Sequence, residues 1–131
     1  TEGGVWMRAA LYQYLAANCQ LIKSWHQPGG PDKDTQKPYG VIKLGEETRA
    51  PFNNRGFFRE LTIWPYFKVG SFVPVDQAVA ELKGLLAGTI LTTSEGHKFE
   101  IEWVHTGGDF QDPDLDAITR RIEFRIPRVG R

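Results

Sequence analysis

The chain has 131 residues, of which 40% are hydrophobic and 24% are charged, and its 16 basic residues balance 16 acidic ones. This length suits one domain around one hydrophobic core, and the neutral balance argues against nucleic-acid binding as the main function, because phosphate recognition needs a basic excess or stripe. No apolar run in the sequence approaches the roughly 20 residues of a membrane-spanning helix, so we expect a soluble intracellular protein, or one assembled inside a cell, without a membrane partner.

The first half of the chain predicts one helix and one hairpin. Val5–Trp25 has apolar side chains at helical spacing, and the helix should end before the breaker cluster that starts at Gln27-Pro28. The polar stretch Gln27–Lys37 then predicts a mobile loop. Two strands joined by a long, turn-rich loop follow, at Tyr39–Leu44 and Phe57–Phe67.

The second half predicts another helix and up to three strands. Pro74–Ala87 has a continuous apolar stripe, with a proline suited to its first turn and Gly88 placed to end it. Thr89–Thr93 is a candidate short strand. Two longer strands, His97–His105 and Ala117–Ile126, follow and are joined by a loop that contains four aspartates.

The last two strands alternate between apolar and charged side chains. One face of the first carries Phe99, Ile101 and Trp103, and its other face carries a lysine and two glutamates. The second strand sends isoleucines and a phenylalanine one way and mainly basic side chains the other way. Because opposite charges on neighbouring strands favour pairing, we expect the two strands to lie side by side, with an ionic face left free for a partner.

The order of these elements is helix, strand, strand, helix, an optional short strand, strand, strand. It predicts an α+β fold, with a mainly antiparallel four- to five-stranded sheet and two helices packed on one face. Residues 1–131 should form a single domain, with mobile loops near residues 27–37, 48–56 and 107–116.

The sequence holds no constellation that predicts catalysis, and we expect the protein not to be an enzyme. Asp112, Asp114 and Asp116 have the spacing of the first ligands of a calcium loop, with Glu123 at the twelfth position, but Ala117 stands where that loop needs glycine. A solvated turn is the simpler interpretation, and a metal- or small-ligand-binding domain is the alternative. We therefore predict no metal and no cofactor.

The histidines and the cysteine are interpreted as structural residues. His97 and His105 stand eight residues apart on one predicted strand, too far to share a metal ion, and His26 has no ligand spacing to either. Cys19 lies in a helical pattern, cannot form an internal disulfide, and fits a small buried side chain in a reducing compartment.

Trp64 is the tryptophan that predicts a binding surface. It falls on the polar side of its strand, opposite Leu61 and Ile63. An aromatic side chain on a face that should be wet is a candidate for a subunit interface, and packing in a second core is the equal alternative.

Four segments of the chain carry a resemblance to a known family. They are P-Y-G-V-I-K-L-G-E-E (Pro38–Glu47), R-E-L-T-I-W (Arg59–Trp64), D-Q-A-V-A-E-L-K-G-L-L (Asp76–Leu86) and D-P-D-L-D-A-I-T-R-R-I-E-F-R-I (Asp112–Ile126). Together they resemble the tail-terminator, or tail-completion, proteins of long-tailed bacteriophages, over roughly residues 7–127. Members of that family are small α+β proteins that form a ring, usually a hexamer, on the end of the tail tube.

The resemblance implies a structural virion protein that caps the tail tube, stops tail polymerisation and provides the surface for head attachment. Its partners would be copies of itself, the tail tube protein and a head connector or stopper protein. Its place would be the tail–head interface of the virion, and the host cytoplasm during assembly. A neck or stopper protein that joins head and tail is the alternative.

The candidate assembly residues come from composition and strand alternation rather than from the family. Some lie in the loop between the first two strands and the others on polar faces of strands. They are Arg49, Asn53, Arg55, Trp64, Arg121, Glu123 and Arg125.

Overall fold

The computed structural model describes residues 2–49 and 57–127. Within these ranges it has two helices, α1 (Glu2–Asn18) and α2 (Val73–Leu86), neither of which is long and apolar enough to cross a membrane. The strands in the same ranges are β1 (Trp25–His26), β2 (Tyr39–Arg49), β3 (Phe57–Lys68), β4 (Thr89–Thr92), β5 (Lys98–Thr106), β6 (Phe110–Asp112), β7 (Ala117–Thr119) and β8 (Ile122–Pro127).

The strands form one mixed sheet, so the α+β class is confirmed and the prediction of a four- to five-stranded sheet is wrong. The main path runs β1-β2-β3-β8-β5-β4, and β7 pairs with both β3 and β6. The pairing of β1 with β2 is parallel, and the other pairings are antiparallel. Sequence reasoning missed β1 and β6 because strands of two or three residues are too short to show an alternating pattern.

Helix α1 ends at Asn18, earlier than the predicted end at Trp25. The carboxylate of Glu81 on α2 accepts hydrogen bonds from the backbone N–H groups of Gln20 (2.6 Å) and Leu21 (3.1 Å). These bonds hold the chain in a non-helical path after α1. A contact between residues this far apart in the chain leaves no local pattern, and for that reason the predicted helix was too long.

Strand β1 fits against β2 because Gly40 has no side chain. Trp25 pairs with Gly40, and a Cβ atom at Gly40 would overlap the indole ring of Trp25. The backbone N–H of Gly40 also donates to the carbonyl of Ser24 at 2.9 Å. Glycine at this position therefore lets an aromatic ring approach the strand backbone closely.

The main hydrophobic core lies between the two helices and one face of the sheet, which we call the core face. Its buried helical residues include Leu11 and Leu15 of α1 and Leu82 and Leu86 of α2. The prediction that both helices pack on one face of the sheet is therefore confirmed. The buried sheet residues of this core are Ile42, Leu61, Ile63, Leu91, Phe99, Ile101, Ile118, Ile122, Phe124 and Ile126.

Strands β5 and β8 are antiparallel neighbours, as the alternating patterns predict. The alternation puts Trp103 on the apolar face of β5 with Phe99 and Ile101 and so predicts core packing. That prediction is wrong, because Trp103 is 42% exposed and Nζ of Lys83 lies 4.0 Å from its ring centroid. Helix α2 meets this tryptophan with a lysine rather than with an apolar side chain, so the ring lies at the edge of the core. After Trp103 the register shifts, and His105 lies opposite Glu123.

The predicted strand Ala117–Ile126 is divided into β7 and β8 at Arg120 and Arg121. Arg120 Nε donates to the carbonyl of Gly107 at 2.9 Å, and the N–H of Gly107 donates to the carbonyl of Arg121 at 2.7 Å. Strand β3 pairs with β8 along its first half and with β7 near its end. The alternation continues through the break because both short strands keep apolar side chains in the core.

The three predicted loops have different outcomes. Residues 27–37 contain turns and no helix or strand, whereas residues 107–116 contain β6. Residues 48 and 49 belong to β2, and residues 50–56 lie outside the described residues. The mobility of these segments stays a prediction.

Candidate functional site

The face of the sheet turned away from the helices, which we call the outer face, forms a shallow groove of about 430 Å³. It is built mainly from alternate residues of β2, β3 and β8, whose neighbours on the same strands point into the core. Acidic, basic and aromatic residues are interspersed along it. The residues lining it include Lys43, Phe58, Glu60, Thr62, Trp64, Val104, Arg121, Glu123 and Arg125.

Two ion pairs hold arginine side chains in place on the outer face. Arg121 Nε lies 2.7 Å from Glu123 Oε2, and Arg125 Nη2 lies 3.0 Å from Glu102 Oε1. The two arginine side chains are still 52% and 49% exposed, so each pair is expected to contribute only about 0–1 kcal/mol to stability. The pairs orient the guanidinium groups and leave them accessible to a partner.

Trp64 connects the groove to a second depression of about 350 Å³. This depression is lined by Trp64, Arg121, Phe110 and the glycines of the turn after β5. Phe110 is 55% exposed. The two depressions share Trp64 and Arg121 and therefore form one continuous surface of aromatic and arginine side chains, residue types that are enriched at protein interfaces.

A second, smaller hydrophobic core occupies the part of the outer face beyond Trp64. Tyr39 and Tyr66 stack with ring centroids 5.2 Å apart, and Val41 and Ala117 are buried with them. Trp64 packs against this cluster. Second-core packing of Trp64 is therefore confirmed, and its role in an interface stays a prediction.

The two stacked tyrosines are poor candidates for proton transfer. Burial, followed by the charge of Asp112 and the neighbouring Tyr39, raises the pKa of Tyr66 to about 12. Burial, followed by the carboxylates of Asp112 and Asp32, also raises the pKa of Tyr39. Both phenols are thus protonated near neutral pH, and their part in this surface is packing.

Four of the predicted assembly residues meet on the outer face: Trp64, Arg121, Glu123 and Arg125. Arg49 lies at the end of β2, where its backbone pairs with Phe57. The predicted residues Asn53 and Arg55 lie outside the described residues.

Sequence reasoning missed several residues of this surface. Phe58 and Glu60 lie on the same face of β3 as Trp64, so the alternation of that strand could have identified them as part of the surface. Lys43 lies two strand positions after Val41, the residue that pairs with Trp64, and only the pairing of β2 with β3 brings it to the groove. Phe110 is a single aromatic residue in a polar segment, which gives no pattern.

The aspartate loop forms a hydrogen-bonded turn. Asp112 Oδ1 accepts from the backbone N–H groups of Asp114 (3.0 Å) and Leu115 (3.2 Å), as in an Asx turn. Within residues 2–49 and 57–127, no group of three His, Cys, Asp or Glu side chains is arranged to hold a metal ion.

The ring of His26 packs edge-on against Tyr39, with centroids 5.4 Å apart.

Cys19 is fully buried, which confirms its predicted packing role. Its thiol lies 3.3 Å from the carboxylate of Glu81. Burial, with a smaller contribution from Glu81, raises the pKa of this thiol to about 11. Cys19 is therefore a protonated core residue rather than a reactive thiolate, and the outer face is the better candidate for function.

Comparisons with known proteins show the fold of the chain. It is similar to a chain in a solved structure described as the virion of a native gene transfer agent particle, with 21% sequence identity, a TM-score of 0.71 and 97% of each chain covered. No protein-family model matches the chain. No curated protein matches it significantly.

Proposed function

We propose that this protein is a structural component of a phage-like virion and that it forms a ring that ends the tail tube. The observation that carries the proposal is the similarity of fold to a chain of the gene transfer agent virion, over 97% of both chains. Because the likeness covers nearly the whole of each chain, the comparison concerns the entire domain rather than a common motif within it.

The sequence resemblance supports the tail-terminator role within that class. The four resembling segments fall on β2, β3, α2 and the β7–β8 region, which are the elements that build the core and the outer face. They therefore describe one connected part of the fold. Tail tube protein, head connector protein and further copies of the same chain are the partners that this role requires.

The outer face supports a role in protein–protein contact. It combines exposed arginines with Trp64 and Phe110, and its ion pairs keep the charged groups ordered before a partner arrives. Ordered side chains lose less conformational entropy on binding than free ones. The described residues thus offer a preorganised binding surface.

Deleting the gene for this protein from the genome that encodes the particle tests the role directly. Electron microscopy of the resulting particles should show tails of abnormal, extended length, and supplying the wild-type gene from a plasmid should restore normal tails. Tails of normal length that are detached from heads would instead identify a neck or stopper protein. Normal particles with attached tails would contradict both roles.

A charge reversal on the outer face tests the surface. Arg121→Glu should fail to restore tail length in the deletion strain, because it places a like charge beside Glu123 and removes an exposed guanidinium group. Lys33→Glu, in the exposed turn region before β2, is the matched control and should restore tail length fully. Equal restoration by both variants would show that this part of the outer face is not used.

A further inference from the structure

Strand β4 lies at one end of the main sheet, and the described residues place no strand beyond it. Its sequence, Thr-Ile-Leu-Thr, has no charge and no proline, and its pairing with β5 has no bulge. Ile90 is 58% exposed. Natural edge strands are protected by short length, charges, proline or bulges; β4 is short, at four residues, but it has no charge, no proline and an unbroken register with β5.

The hydrogen bonds of the β4–β5 hairpin show which backbone groups point outward. The N–H of Thr93 donates to the carbonyl of His97 at 2.8 Å, and the same register continues along β4. Bonded and non-bonded positions alternate in an antiparallel pair. Leu91 is therefore bonded to β5, whereas the N–H and C=O groups of Ile90 and Thr92 point away from it.

The opposite end of the sheet also has room for a strand. Strand β1 pairs only with Gly40 and Val41, at the start of β2, and the described residues place no strand beside Lys43–Glu46. The four antiparallel pairings that connect β2 to β4 make these two strands run in the same direction. In a ring whose axis follows the strands, β4 of one copy would lie parallel to β2 of the next, in line with β1.

The charges beside the two edges are complementary in that arrangement. Along the direction of β4, Glu100 comes before Lys98 on the adjoining strand β5. Along the same direction on β2, Lys43 comes before Glu46, and the register shift between Leu44 and Glu47 returns Glu46 to the face of Lys43. Each charge would therefore face its opposite across β4, at two strand spacings or about 10 Å between backbones. None of the four has an ion-pair partner among residues 2–49 and 57–127.

We propose that β4 is a pairing edge and that its occupant is the exposed edge of β2 in a neighbouring copy of this chain. The proposal rests on the proposed function, because a ring joins two different patches of each subunit. The backbone groups of Ile90 and Thr92 supply hydrogen bonds to the added strand, and the four charges select its register.

A proline substitution tests the backbone contact. Ile90→Pro removes an N–H that points outward, so the pairing of β4 with β5 is kept. Self-association, followed by sedimentation velocity over a concentration series, should weaken by about tenfold, which corresponds to the loss of one or two hydrogen bonds. Ile90→Val retains the N–H and should associate like the wild type. Circular dichroism of both variants checks the fold.

A pair of charge reversals tests the register. Glu100→Lys should weaken self-association by about two- to fivefold, the range expected of an exposed ion pair. Lys43→Glu alone should do the same, and the double variant should recover the wild-type value. Recovery requires that the two positions lie opposite each other on either side of β4, and a double variant weaker than either single one would overturn the proposal.

Disulfide trapping identifies the occupant, both in the free chain at high concentration and in purified particles. The double variant Ile90→Cys/Lys43→Cys should give a ladder of linked subunits on oxidation, and Ile90→Cys alone should give none. Dimers from Ile90→Cys alone would show β4 paired with β4 and would overturn the proposal. The absence of links in both preparations would also overturn it.

The outcomes separate this inference from the proposed function. If Ile90→Pro restores tail length as well as the wild type and no links form, the pairing edge is wrong and the tail role stands. If deletion of the gene leaves particles normal while the 43–90 links form in the free chain, the tail role is wrong and the pairing edge stands.

Discussion

The two faces of the sheet differ although they are made from the same strands. On β8, Phe124 and Ile126 are buried on the core face, and Arg125 between them is half exposed on the outer face. On β3, Leu61 and Ile63 are buried, whereas Glu60 is exposed. Stability and recognition are therefore assigned to alternate residues of one strand, and adjacent substitutions should have different consequences.

The largest effect is expected on the core face. Phe124→Ala should lower the free energy of unfolding by about 3–5 kcal/mol, because it leaves a cavity in the main core. Chemical denaturation measures this value, and Phe124→Leu, which fills most of the space, should lose much less. If Phe124→Ala cost no more than Arg125→Ala, the assignment of the two faces would be incorrect.

A smaller loss is expected where β1 meets β2. Gly40→Ala should cost about 1–3 kcal/mol through overpacking, because the added Cβ atom would overlap the ring of Trp25. Combining it with Trp25→Leu should recover part of the loss, and a double-mutant cycle measures that coupling. Additive effects of the two substitutions would show that the ring and the glycine do not constrain each other.

The carboxylate of Glu81, which binds the segment after α1, should give a pH-dependent contribution to stability of about 1.5–3 kcal/mol, as expected for hydrogen bonds to a charged group. Burial raises the pKa of Glu81, but hydrogen bonds from Gln20, Leu21 and Cys19 outweigh it and leave the pKa below its ordinary value. The contribution is therefore present above the ordinary glutamate pKa and is lost as the pH falls through the lower, folded-state pKa.

Denaturation at a series of pH values measures this contribution. Glu81→Gln should be less stable than the wild type at neutral pH, and the difference should shrink in acid. Glu95→Gln, in the exposed β4–β5 turn, is the matched control and should match the wild type throughout. A difference that stays constant down to acidic pH would rule out the carboxylate as its source.

The smallest effect on stability is expected on the outer face. Arg125→Ala breaks the pair with Glu102 and a contact with the Phe58 ring, 5.6 Å from the guanidinium carbon. An exposed pair of this kind contributes about 0–1 kcal/mol, so thermal unfolding should barely change. Tail-length restoration should fall instead, which would separate the two faces. If Arg125→Ala lost stability but still restored tail length fully, the roles assigned to the two faces would be reversed.

Local patterns in the sequence correctly predicted the elements in which apolar side chains recur at one regular spacing over many residues. Helix α2 and the pairing of β5 with β8 follow from stripes and alternation over nine or more residues. The end of α1 depends instead on Glu81, and the exposure of Trp103 depends on Lys83 of α2. These features are set by residues distant in the chain, which single-sequence patterns do not contain.

The candidate surface was predictable to the same extent. Arg121, Glu123 and Arg125 follow from alternation along one segment, and Trp64 from alternation along another. Their meeting in one groove required the pairing of β3 with β8. Phe110 reaches the surface only because β6 folds back on β7, and that pairing of three residues had no signal of its own.

The close fit of Trp25 against Gly40 has a consequence for how this domain can diverge. The indole ring fills the space that a side chain at position 40 would need, so a larger residue there carries a steric penalty as long as the tryptophan remains. Homologues that carry a larger residue at 40 should have exchanged the tryptophan for a smaller side chain, and such compensated changes would mark lineages that kept the two-residue parallel strand.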